Sequence, residues 1–309
     1  MDFITVPALS VFVLPTLSAY SSRLNLLFFY MSWTTLVLSL PALRIEMMGT
    51  LVARLVFWII PSCTFFLFDA LVPNLAVNLK EGGEGALPSG SRRHRASRHI
   101  FFVPGVCLAN FVLSFGCQWL FEQGLEYIKF RPAVQVTIAV PLPWHIATHL
   151  FLGFLFREIL SYSVHRWLLH SRQPALAWIV KQHNSWFHAL RGALPLTAHY
   201  DHPLAYLLHT FLPMYIPVYY LRFHAITFFI YTVLISIEET FTYSGYSIIP
   251  FSILQGTASR VNMHLSDSRR YFGRLGLVDF FLGTGALLGG LAGLGGGGGG
   301  GDDDRGRRR

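Results

Sequence analysis

The sequence predicts an all-α fold: a multi-pass transmembrane helical bundle with a histidine-rich helical cap at its cytoplasmic face. Three observations lead to this prediction. The chain of 309 residues is 53% hydrophobic and only 13% charged, whereas soluble proteins are about 25% charged. Several apolar stretches reach the roughly 20 residues that a helix needs to cross a bilayer. Ten of the thirteen histidines lie between His145 and His224, inside or beside those stretches.

Six apolar segments are predicted to span the membrane. They are residues 24–43, 51–71, 101–121, 134–156, 204–221 and 225–241. The segment 3–20 is also apolar but contains two prolines, so a re-entrant or interfacial position stays open for it. Three cysteines, Cys63, Cys107 and Cys117, lie within apolar stretches without paired spacing. They are expected to pack in the core or face lipid.

These segments divide the chain into four predicted regions. Residues 1–72 form an N-terminal membrane-spanning region, 73–100 a flexible basic cytoplasmic loop, 101–284 the main domain and 285–309 a disordered glycine-rich tail. The loop carries four arginines within residues 81–99, and cytoplasmic loops of membrane proteins are enriched in such residues. The net charge of +8 resides in short loops between apolar runs. That pattern suits an anionic membrane surface better than nucleic acid, so no nucleic-acid partner is expected.

The histidines fall into short motifs. Residues 157–170 read R-E-I-L-S-Y-S-V-H-R-W-L-L-H, followed by K-Q-H-N-S-W-F-H, A-H-Y-D-H-P, Y-S-G-Y-S-I-I-P, a lone His264 and Y-F-G-R-L-G-L-V-D-F-F-L-G-T. Imidazole is a common ligand of iron and zinc. In order and spacing, residues 158–284 resemble the fatty acid hydroxylase/sterol desaturase superfamily, the membrane-bound non-haem di-iron oxygenases of the endoplasmic reticulum.

The resemblance implies an iron cofactor, a lipid substrate, a separate electron donor (a cytochrome or reductase) and a multi-pass location in the endoplasmic reticulum membrane. Superfamily members usually carry H-R-x-x-H-H, H-K-x-H-H, H-S-G-Y and H-x-x-H-H boxes, which hold two metal ions. The box histidines kept in this chain are His165, His170, His183, His202 and His264. Other residues replace the remaining ones: Leu169, Val180, Asn184, Tyr243, Arg260 and Met263. The resemblance therefore predicts a di-iron site from which several of the usual histidine ligands are missing.

Neighbouring side chains are candidates for the missing ligands. His188 and His199 lie close to the kept boxes, although residues five apart, such as His183 and His188, are about 140° apart on an ideal helix and need a helix end to converge. The histidines His145, His149 and His209 are expected to pack between helices.

Four carboxylates complete the candidate site. Glu158 and Asp201 are predicted to orient imidazole rings, with pairing to Arg157 or a nearby arginine as the alternative for Glu158. Glu238 and Glu239 are candidate substitute ligands, and pairing with Arg260 or Arg269 is their alternative.

Two functions from different classes follow. The first is an iron-dependent membrane oxidoreductase that hydroxylates or desaturates a sterol, sphingoid or fatty acyl lipid. The second is a metal-poor family member that binds lipid or acts as a scaffold without oxygenase activity. An unrelated transporter would show internal hydropathy repeats, and the sequence contains none. No haem-binding or flavin-binding segment is evident, which is why the electron donor is expected to be a separate protein.

Overall fold

The computed structural model describes residues 15–80, 83, 87, 96–190, 193–246 and 252–285, and these contain helices and no strand. The all-α prediction is confirmed for this part of the chain. Most of the segment 3–20, most of the basic loop and nearly all of the predicted glycine-rich tail lie outside the described residues. The helices are α1 (Pro15–Ser39), α2 (Ala42–Leu71), α3 (Pro73–Leu79), α4 (Ala96–Tyr127), α5 (Pro143–Ser163), α6 (Ala177–Trp186), α7 (Pro203–Leu221), α8 (Ala225–Thr242), α9 (Ser252–Ser266) and α10 (Leu277–Phe281).

Four of these helices are long and apolar enough to cross a membrane: α2, α4 from Phe102 onward, α7 and α8. They correspond to four of the six predicted spans. The prediction for 134–156 was wrong at its start, since residues up to Leu142 are not helical and α5 begins at Pro143. Proline lacks the amide hydrogen that a helix interior requires but is favoured at the first helical position. The predicted span 24–43 is interrupted in the same way, because α1 ends at Ser39 and α2 follows Pro41.

Helix α8 lies at the centre of the bundle. Its most apolar 18-residue stretch is 61% buried, against 22% for that of α2. Phe228, Tyr231 and Ile235 are fully buried, and their spacing places them on one face of the helix. Phe223, just before α8, packs against Gly153 of α5. A Cβ atom added at Gly153 would lie only 2.7 Å from the ring of Phe223. The core therefore joins α5, α7 and α8 tightly.

The two ends of the bundle differ in character. At one end, the loop before α5 pairs with the start of α8, through a backbone bridge between Gln135 and His224. At the other end, the segments after α5 and after α8 form a cap. A bridge between Lys80 and Tyr246, together with ion pairing of Lys80 to Asp69, ties the chain after α3 to this cap.

Three helices contain or continue into a wider π-helical turn, at Leu55–Ile59, Val164–Leu169 and Leu207–Phe211. Such turns carry one residue more than an α-helical turn and occur often at functional sites. All three lie at the capped end. The first directly follows Arg54, the second contains His165 and the third contains His209.

Candidate metal centre

Five histidines converge inside the cap. One ring nitrogen of each lies within 4.8 Å of the corresponding nitrogen of every other. They are His165, His170, His183, His188 and His264, and all are buried or half-buried. Each was a candidate from the sequence. The cluster joins the end of α5, α6 with the turn after it, and α9.

Local helix geometry explains how histidines five residues apart can share one site. His165 lies on the π-helical turn after α5 and His170 directly follows that turn. The amide of His170 donates a hydrogen bond to the carbonyl of His165 at 3.0 Å. That bond places the two residues one above the other. Helix α6 ends at Trp186, just after His183, and a tighter turn follows. This tighter turn directs the side chain of His188 toward His183, and the two ring centroids lie 5.1 Å apart.

Three of the rings are held by hydrogen bonds from their Nδ1 atoms. His165 donates to the carbonyl of Phe272 (2.9 Å), His183 to Asp201 Oδ2 (2.7 Å) and His264 to the carbonyl of Arg270 (2.6 Å). A neutral imidazole with its proton on Nδ1 keeps a lone pair on Nε2. Partners of this kind fix the tautomer and orientation of metal-binding histidines. Asp201 thus has its predicted orienting position, but on His183.

The free ends of these rings have no protein partner. The Nε2 atoms of His165, His183 and His264 are buried without a hydrogen bond, whereas buried polar atoms are normally bonded. The Nε2 atoms of His170 and His188 point at each other, 3.2 Å apart. Convergent, unprotonated imidazole nitrogens fit a first-row transition metal such as iron. The donor set therefore suits a bound ion.

Burial keeps these imidazoles neutral. It lowers the pKa of His188 to about 3 and that of His264 to about 4, with the neighbouring imidazoles contributing in the same direction. The pKa values of His165 and His170 are also lowered, far below the usual range. Removing a charged imidazolium from water is unfavourable, and a metal binds only the neutral ring. At neutral pH the cluster is ready to bind an ion.

One further histidine borders the cluster, against the expectation that it only packs between helices. The ring of His209, on α7, lies 4.4 Å from that of His165, and its Nε2 atom is buried without a partner. It is not part of the mutually close group of five. His209 follows His202 by seven residues, about two helical turns, which was the sequence signal for its position.

His199 and His202 lie outside the cluster. The hydroxyl of Tyr206 donates to Nδ1 of His199 at 2.7 Å, and Nε2 of His199 donates to Glu239 at 3.2 Å. Both ring nitrogens of His199 are therefore used. His202 caps the start of α7, where its Nδ1 accepts a hydrogen bond from the amide of Leu204.

A narrow cavity reaches the cluster between His165 and His264. Its wall also contains His209, Glu238, Tyr243 and Arg274. Tyr243 occupies the place of a box histidine and lines the cavity rather than joining the five rings. This cavity therefore borders the histidine cluster.

Comparison with protein families identifies this part of the chain. Residues 150–284 match the model of the fatty acid hydroxylase family. This segment is similar to fatty acid hydroxylase domains. It contains all five clustered histidines, and the resemblance to the wider superfamily is confirmed. No solved structure matches the chain.

In the segment that matches the family, Glu158 acts on the backbone rather than on a histidine ring. It accepts hydrogen bonds from the amides of Leu275 (2.7 Å) and Leu277 (3.0 Å). Asp279, which the sequence analysis did not single out, accepts from the amides of Phe272 and Gly273. The two carboxylates shape the loop whose Phe272 carbonyl holds His165. The closing L-V-D motif was the signal for this role.

The two glutamates at the end of α8 are paired with arginines, although not with Arg260 or Arg269. Glu238 contacts Arg157 at 2.6 Å and Glu239 contacts Arg54 at 2.5 Å. Arg274 lies 3.9 Å from Glu239 as well. Buried carboxylates committed to guanidinium groups are not free to serve as ligands.

The hydrogen bond from His183 to Asp201 predicts the effect of Asp201→Asn. Without the carboxylate, the ring loses the acceptor that fixes its tautomer, and such changes typically lower metal affinity about 10–100-fold. Competitive metal titration of the purified protein measures the change. The variant Glu126→Gln, which changes an exposed glutamate at the end of α4, is the control and should retain its affinity. An unchanged affinity in Asp201→Asn would remove this residue from the centre.

Proposed function

We propose that the protein is an iron-dependent lipid oxidoreductase that hydroxylates or desaturates a sterol, sphingoid or fatty acyl substrate at the cytoplasmic face of the endoplasmic reticulum membrane. The observation that carries the proposal is the convergence of five neutral imidazoles inside a fatty acid hydroxylase domain. The alternative is a family member that binds lipid without a metal. Such a protein would gain nothing from buried histidine nitrogens that lack a hydrogen-bond partner. Each such atom costs free energy unless a ligand compensates it.

The residues divide the work of the proposed reaction. Iron held by the five histidines would supply activation of O2. In hydroxylation, one oxygen atom of O2 is inserted into a C–H bond to give C–OH, and the other leaves as water, with two electrons from a separate donor protein and two protons. The hydrogen bonds from His165, His183 and His264 keep the ring nitrogens in place. The cavity wall formed by Tyr243 and Arg274 would orient the reacting carbon and limit access of water.

The proposal is tested by metal and lipid analysis together. The full chain, purified in detergent, is expected to bind iron. Cells that produce it are expected to accumulate a hydroxylated or desaturated lipid that is absent when they produce His183→Ala. Iron-free protein after loading with Fe(II), or identical lipid profiles in both strains, would contradict the proposal. Identical lipid profiles together with normal iron binding would favour a lipid-binding role.

The positive-inside rule predicts that residues 81–99 and the histidine cap share the cytoplasmic side. The bridge between Lys80 and Tyr246 supports this, because it places the chain after α3 at the capped end. Glycosylation acceptor sites inserted near Ser91 or Arg191 should therefore stay unmodified. An acceptor site near Lys129, beyond the other end of α4, is the matched control and should be glycosylated. Modification at either cytoplasmic position would reverse the orientation.

A further inference from the structure

We infer that the histidine cluster holds one metal ion, although the superfamily boxes it resembles hold two. The inference rests on the proposed function, since it concerns the same metal centre. It depends on three features of the described residues: the size of the cluster, the state of the side chains around it, and the charge beside it.

The size of the cluster matches a single coordination sphere. A metal–imidazole bond is about 2.0–2.1 Å long, so opposite ligands of one ion lie about 4.2 Å apart. The five nitrogen atoms are all within 4.8 Å of one another. Ions in a two-metal site are about 3.5–4 Å apart, and ligands on their outer sides would be separated by about 8 Å. The five histidines therefore surround one point.

No second set of ligands exists among the described residues. Only one group of metal-binding side chains is found there. Glu238 and Glu239 are paired with arginines, Asp201 with His183, and His199 with Glu239 and Tyr206. His209 alone has a buried free nitrogen near the cluster. A single imidazole does not make a site for a second ion.

The positions where box histidines are missing do not contribute ligands. Leu169 is fully buried and Val180 packs beside it in one apolar cluster. Tyr243 packs against a second apolar cluster that includes Phe187. Asn184 is exposed. Apolar packing thus fills space that further imidazoles would need.

The charge beside the cluster also opposes a second cation. Arg54, Arg157 and Arg274 surround Glu238 and Glu239, which leaves one positive charge in excess. Arg274 lines the same cavity as His165 and His264, together with Glu238, whose carboxylate is already paired with Arg157. A second divalent ion in this cavity would face a guanidinium group in a medium of low dielectric constant, where repulsion between like charges is strong.

One ion with five imidazoles would keep one octahedral position for another ligand. Because the cavity is lined by His165 and His264, that position is expected to open toward it. His209 lies at the same wall and is placed to contact a molecule bound there. The centre would thus combine a nearly complete protein shell with a single exchangeable site.

Metal stoichiometry tests the inference. The purified full chain is loaded anaerobically with Fe(II) and, separately, with Co(II), and metal per chain is measured after removal of excess ion. We expect one ion per chain. Two ions per chain would overturn the single-ion inference and leave the proposed function intact, whereas no bound ion would overturn both.

A variant separates the two cases further. In a one-ion centre, His264→Ala is expected to lose most of the bound metal, while a two-ion centre would keep about one ion in the undamaged half. Retention of half the wild-type metal would contradict the inference. His145→Ala, which alters an exposed histidine far from the cluster in the chain, is the matched control and should bind one ion. Size-exclusion profiles confirm that both variants are folded.

Discussion

Replacement of His165 by alanine is expected to reduce bound iron at least about ten-fold. This ring packs against three others of the cluster, with its centroid 4.5 Å from that of His264, 5.0 Å from that of His170 and 5.3 Å from that of His183. Its loss removes a ligand and leaves these three rings without that contact. Ligands of one ion act as a unit, so adding His170→Ala should change little. Iron per chain, measured on the purified protein, reports both effects.

The control for this experiment is again His145→Ala, which should keep its iron. The result is informative only if His165→Ala remains folded, which its elution volume and helical circular dichroism establish. A folded His165→Ala protein with full iron content would exclude His165 from the centre. Additive losses in the double variant would indicate independent sites instead.

The Glu239→Gln variant is expected to lower the free energy of unfolding by about 3–5 kcal/mol, the usual cost of breaking a buried ion pair by removing one partner. Glu239 is 1% exposed and contacts Arg54 at 2.5 Å, with Arg157 and Arg274 about 4 Å away. Without its charge, these guanidinium groups lose their main compensation in the protein interior. Denaturant unfolding in detergent measures the difference. Glu126→Gln, which changes an exposed glutamate at the end of α4, should have little effect.

Glu239→Gln also distinguishes structural from metal-binding roles. If the glutamate only compensates arginines, the folded fraction of the variant should bind as much metal as the wild type. Loss of metal without loss of stability would return Glu239 to the ligand set, as the sequence had suggested.

The sequence predicts much of the fold because hydropathy and length are sufficient for long apolar helices. Helices α2, α4, α7 and α8 follow from composition alone. The start of α5 does not follow from composition, because residues 134–142 are as apolar as a membrane-spanning helix. Only the prolines at 141 and 143 indicate that these residues are not helical. Hydropathy measures the preference for lipid and carries no information on backbone hydrogen bonding.

The candidate site was less predictable for geometric reasons. His165, His170, His183, His188 and His264 were all candidates, and the structure brings them together. Sequence spacing could not separate them from His199 and His202, because the partners of a ring depend on distant residues. Glu239 and Tyr206 occupy the nitrogens of His199, and neither contact is visible in a local motif. For the same reason, His209 was expected only to pack.

The π-helical turn after α5 bears on how related sequences are compared. Its additional residue sets the spacing between His165 and His170 at four intervening positions. If these residues were wound as an ordinary α-helix with none removed, His170 would swing about 100° around the axis, away from His165. Removing one residue would instead leave the two imidazoles four positions apart, which an α-helical turn already places on one face. The spacing of this box and the type of its helical turn are therefore linked, and two sequences that differ here by one residue can place their imidazoles alike.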